Sequence, residues 1–142
     1  MAQTTYKPVK GKDIDAATVT ATSFVGPVTG NVTGNVSGGS QRPVVVISGD
    51  GAITIADSVV FLTKASAAAI TLAAPTAVTH DGMRIDIIAA TAQAHVVTVT
   101  GAAGGSGQDV GTFGGAINDS TSLIARNGNW YIIGAPRNVT WA

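Results

Sequence analysis

Along residues 26–38 the chain alternates without a fault. Gly26, Val28, Gly30, Val32, Gly34, Val36 and Gly38 hold the even positions, and Pro27, Thr29, Asn31, Thr33, Asn35 and Ser37 the odd ones. Successive side chains of a strand point to opposite faces, so the pattern predicts an extended segment with a Gly/Val face and a polar face. At ~3.3 Å per residue it would reach about 43 Å. Glycine at every fourth position excludes the collagen triple helix, which needs one at every third. A lone strand with valines down one side does not stay ordered, since even a two-stranded hairpin is marginal in water. Three chains wound or packed together would bury that face on a shared axis, which makes Val28, Gly30, Val32, Gly34 and Val36 the expected trimer interface. A polar Gly/Thr/Asn linker is the open alternative.

From Val44 onward the pattern changes to short apolar runs between turn residues. Strands are predicted at 44–48, 52–55, 58–64, 69–75, 83–90, 95–101, 112–117, 121–134 (a hairpin) and 138–142. In "MRIDII", Met83, Ile85 and Ile87 share one face and Arg84 and Asp86 the other. Asn127-Gly128 suits the two positive-φ positions of a type I′ turn, which divides 121–134 into two antiparallel strands. Strands spaced by about 8–12 residues with turn signals between them predict an antiparallel β-sandwich or barrel over 44–142. The expected organisation is therefore all-β, with an N-terminal extended arm (1–25), a G-x-V-T strand repeat acting as a trimerisation stalk (26–43) and a C-terminal β domain (44–142).

Composition sharpens this. No Glu occurs among the 142 residues and Leu occurs only at Leu62, Leu72 and Leu123, so the best helix formers are scarce while Val and Thr abound. Charged residues are 11% of the chain, under half the usual share of about a quarter, and eight Lys and Arg balance eight Asp. With no basic patch, neither nucleic acid nor an anionic membrane is an expected partner. There is no cysteine, hence no disulfide, thiol nucleophile or thiolate metal site. The start "MAQTTYKPVKGKD" lacks the apolar run of a signal peptide, so synthesis in the cytoplasm is expected.

Little in the chain suggests catalysis. His80, beside Asp81, is expected to cap a turn or stand exposed, and His95 opens a strand; neither has a nucleophile motif near it. The glycine-rich stretch 101–115 contains neither a phosphate-binding loop nor a G-x-S-x-G elbow, and is expected to be a long loop. The expectation is no enzyme, no cofactor and no metal site. Trp130 and Tyr131 are neighbours in the hairpin and must point to opposite faces, one into the core and the other free to act as a contact or a sugar-stacking platform.

The run "ATSFVGPVTGNVTGNVSG", with "ITLAAPTAVTHDGMRIDIIAATAQAHVVTV" (70–99) and "TFGGAINDSTSLIARNGNWYIIG" (112–134), resembles tailed-bacteriophage virion proteins, particularly head fibres and capsid decoration proteins. The resemblance covers most of 17–140. It implies a homotrimeric β-rich protein on the outer surface of the virion, one end docked on the major capsid protein and the other facing outward. The expected function is capsid decoration or cementing. The arm, with Tyr6, Lys7, Lys10, Lys12 and Asp13, is then the expected capsid contact. The alternative is a tail-fibre or head-fibre knob that binds host surface glycan through Trp130 or Tyr131.

Overall fold

A computed structural model of the chain describes residues 42–56, 58–102 and 108–142. The expected arm 1–25 and the repeat 26–38 lie outside the described residues, all of which belong to the compact unit Gly39–Ala142.

The described residues form ten short strands and no helix: β1 (Val44–Ile47), β2 (Gly51–Ile53), β3 (Ser58–Leu62), β4 (Ala69–Leu72), β5 (Arg84–Ala89), β6 (Val96–Val99), β7 (Val110–Phe113), β8 (Ser120–Arg126), β9 (Asn129–Ile132) and β10 (Val139–Trp141). They build two five-stranded sheets, ordered β1-β3-β5-β8-β9 and β10-β7-β6-β4-β2. The fold is all-β with two mixed sheets, in keeping with a β-sandwich.

The expectation of antiparallel pairing is corrected. β1 with β3, β3 with β5, β2 with β4 and β4 with β6 are all parallel. Through β6 the chain places odd-numbered strands in the first sheet and even-numbered ones in the second. Each short connection crosses to the other sheet instead of folding back along its own. A parallel neighbour cannot be reached by a tight hairpin turn and needs a crossover connection. Here that crossover contains a strand of the opposite sheet: Val44 aligns with Val59, and Ile70 with Val97. From β7 the winding stops, and β6–β7, β5–β8, β8–β9 and β7–β10 pair antiparallel.

The core lies where the inner faces meet. Val60 of β3 aligns with Ile87 of β5, and Leu72 of β4 with Val99 of β6; all four are at most 1% exposed. Their alternate neighbours, such as Val59, Asp86, Thr71 and Thr98, lie on the outer faces. Burying one such aliphatic side chain stabilises by about 1.5–3 kcal/mol, which is how a chain short of helix formers holds together. The Asn127-Gly128 turn joins β8 to β9 with φ of 48° and 79°, as a type I′ turn requires.

Two polar clusters tie this scaffold together. Arg42, just ahead of β1, donates to the Asp86 carboxylate and to the carbonyl oxygens of Ser58 (2.6 Å) and Arg84 (2.5 Å), joining the entry of β1 to β3 and β5. Burial pushes the Asp86 carboxyl up, but hydrogen bonds from Ser122, Arg42 and Arg84 outweigh it and hold the group below its ordinary value. At the other cluster, buried Asp119 accepts from the Ala116 amide (2.8 Å) and from Asn138 Nδ2 at both oxygens (3.0 Å each), joining the 114–119 turn to the entry of β10.

His95 is fully buried at the start of β6. Its Nδ1 accepts the Ala68 amide (3.1 Å), and its Nε2 lies 3.0 Å from Thr91 Oγ1. That hydroxyl donates to the Lys64 carbonyl (2.8 Å), so Nε2 carries the ring proton and the imidazole is neutral. Burial, and then the positive charge of Lys64, depress its pKa from the ordinary 6.5. A depressed folded-state value means the unfolded chain takes up the proton first. The stability from neutral His95 is therefore complete above pH 6.5 and is lost as pH falls toward the folded value. Urea midpoints are expected to fall between pH 7.5 and 5 in the wild type and to fall less in His95→Gln.

Candidate functional site

The expected trimer residues Val28, Gly30, Val32, Gly34 and Val36 lie outside the described residues, as do the expected capsid contacts Tyr6, Lys7, Lys10, Lys12 and Asp13. Trp130 and Tyr131 do point to opposite faces. Trp130 is 1% exposed in the core, and its indole N–H donates to the Ala73 carbonyl (2.8 Å), so its ring is not available as a stacking platform. Tyr131 is 43% exposed on the outer face of the first sheet. His80 caps the 76–80 turn, its Nδ1 accepting the Thr76 amide at 2.8 Å. The glycine-rich stretch is loop only in part: 103–107 lie outside the described residues, but Val110–Phe113 form β7.

Around Tyr131 the surface sinks into a concavity of about 600 Å³, lined by Asp81, Gly82, Ile124, Ala125, Arg126 and Tyr131. Ile124 and Tyr131 are cross-strand partners in β8 and β9, so their side chains sit side by side as an apolar floor. The turn at 81–82 is stitched to the hairpin by three hydrogen bonds. The Asn127 amide donates to Asp81 Oδ1 (2.7 Å), the Gly82 amide to the Ala125 carbonyl (2.8 Å) and the Ala125 amide to the Met83 carbonyl (2.9 Å). Gly82 adopts φ 85°, the left-handed conformation that lets the chain turn there. Asp81 and Arg126 are thereby brought onto one rim, which sequence reading did not foresee.

A second, smaller cleft of about 260 Å³ is lined in part by Val99, Gln108, Leu123, Ile132 and Trp141. Trp141 packs flat on Gly111, where an added Cβ would stand 3.0 Å from the indole. Its Nε1 is buried and has no hydrogen-bond partner among the described residues. Sequence reading assigned Gly111 to a loop and so gave Trp141 no partner.

The outer sheet faces carry the other distinctive chemistry. On the second sheet Thr71 aligns with Thr98, Thr98 with Val110, Val96 with Thr112, and Thr112 with Thr140. No outward strand position of that sheet holds a charge. On the first sheet the edge strand β1 turns Val44 and Val46 outward at 63% and 61% exposure, beside Val59 and Phe61 of β3. Neither a charge nor a proline interrupts β1, although these are the usual devices that keep an edge strand from pairing. Among the described residues no group of three or more His or Asp side chains gathers as a metal site.

Scans against protein-family models, curated proteins and solved structures return no match for this chain.

Proposed function

We propose that this chain is a virion structural protein: a capsid decoration or cementing protein that binds the outside of a phage head as a homotrimer and stabilises it without catalysis. The observation that carries the reading is the surface of the β domain. Its second sheet presents an uncharged Thr/Val face, and its first ends in an uninterrupted edge strand with two exposed valines. Such surfaces suit burial against other protein far better than life as a solvated monomer. The resemblance of residues 17–140 to head fibres and decoration proteins supplies the particle, and the Val/Gly stripe at 26–38 supplies the three-fold contact. In this reading the arm 1–25 docks on the major capsid protein. Bridging several capsid subunits with one trimer makes each added contact at high effective concentration. Purified protein added to capsids that lack it is expected to raise their thermal disruption temperature. An unchanged temperature at saturating protein would contradict the cementing role.

A further inference from the structure

The concavity around Tyr131 has a chemistry that capsid docking does not require. Its floor is the exposed Tyr131 ring beside Ile124, an apolar surface broad enough for the C–H face of a ring. Its rim holds one cation and one carboxylate. The Arg126 side chain makes no hydrogen bond or ion pair with the described residues, so its guanidinium fork is available to acceptors. Asp81 uses Oδ1 to accept the Asn127 amide, which leaves Oδ2 for another donor. A lone arginine would select an anion and a lone aspartate a cation; lining one concavity, the two leave it with no net charge. A neutral polyol suits both, with one hydroxyl to accept from the guanidinium and another to donate to the carboxylate. Few convergent polar groups over an apolar floor are the ordinary make-up of a small-molecule site, and about 600 Å³ falls in the usual size range. The hydrogen bonds joining 81–83 to 125–127 hold the rim in place before any ligand arrives, which limits the ordering cost of binding.

We infer that this concavity binds a neutral pyranose: the ring stacks on Tyr131 and Ile124 while its hydroxyls bond Arg126 and Asp81. Trp130, the other aromatic residue that sequence reading offered for such a role, takes no part. The site is independent of the cementing reading, because none of its residues lies on the uncharged face or on β1.

The test is an amide-shift titration of the ¹⁵N-labelled full chain. The probes are the methyl glycosides of glucose, galactose, mannose and N-acetylglucosamine, with glucuronate and glucosamine as charged counterparts. At least one neutral glycoside is expected to give saturable shifts at Gly82, Ala125, Asn127 and Tyr131. Tyr131→Ala and Arg126→Ala are each expected to weaken that binding about tenfold, a typical result of truncating a central contact. Tyr131→Phe, which keeps the ring, should retain most of it. Both truncations fall on exposed side chains, and an unchanged amide spectrum elsewhere shows that the fold survives. The inference is overturned if no neutral glycoside saturates, if a charged sugar binds more tightly than every neutral one, if the shifts gather around Trp141 instead, or if Tyr131→Ala binds as well as the wild type. Failure of capsid stabilisation would leave this result untouched.

Discussion

Trp130→Ala is expected to lower the unfolding free energy by about 3–5 kcal/mol, the usual cost of emptying a large aromatic site in a core. Trp130 is the largest fully buried side chain among the described residues and sits on β9, an edge strand of the first sheet. Truncation would leave a void between the sheets and strip the Ala73 carbonyl of its 2.8 Å hydrogen bond. Domains of this size are stable by only about 5–15 kcal/mol, so the variant should unfold at a far lower urea concentration. Trp130→Phe separates the two causes. It keeps most of the volume and loses the N–H donor, so a smaller loss, about 0.5–1.5 kcal/mol for the hydrogen bond, is expected. If both variants unfold like the wild type, the ring is not part of the core.

Asp119→Ala is expected to cost about 2–4 kcal/mol, because it removes the buried carboxylate that accepts from the Ala116 amide and the Asn138 side chain. Gly114→Ala should act on the same contact from the other side. A Cβ at Gly114 would clash with the Asn138 side-chain amide, so Asn138 must move away from Asp119. Two changes that break one contact do not add. The double variant is expected to be hardly less stable than the worse single one in a urea double-mutant cycle. Additive losses would show that Gly114 and Asp119 act through different contacts. Burial raises the Asp119 carboxyl, yet the bonds from Ala116, Asn138 and Gly115 outweigh it and leave its pKa below 3.8. Its contribution is therefore complete above pH 3.8 and is lost only as pH falls through the folded-state value.

Strand positions were legible because alternation is a local property. Ile85 and Ile87 turn inward while Arg84 and Asp86 turn outward, as "MRIDII" suggests, and Asn127-Gly128 makes the hairpin its dihedrals allow. Strand direction was not legible. Parallel sheets are ordinarily covered on both faces and read as continuous apolar runs, whereas these parallel strands leave one face to solvent and alternate as antiparallel ones do. Turn residues at 49–51 look the same whether the chain folds back or crosses to the opposite sheet. The Tyr131 site was half legible. Adjacent aromatics must face opposite ways, but only the pairing of Ala125 with Trp130 decides which ring goes inward. Asp81 and Arg126 come to line one concavity through hydrogen bonds between distant segments, for which no local pattern exists.

We propose that this chain works by assembling with itself, and its mass in solution tests that most directly. The monomer mass is 14.1 kDa, so sedimentation equilibrium of the full chain is expected to give three times that, about 42 kDa. The replacement of Val28, Val32 and Val36 by Asp is expected to reduce the species to the monomer. A wild-type mass of 14.1 kDa across the micromolar range would contradict the claim.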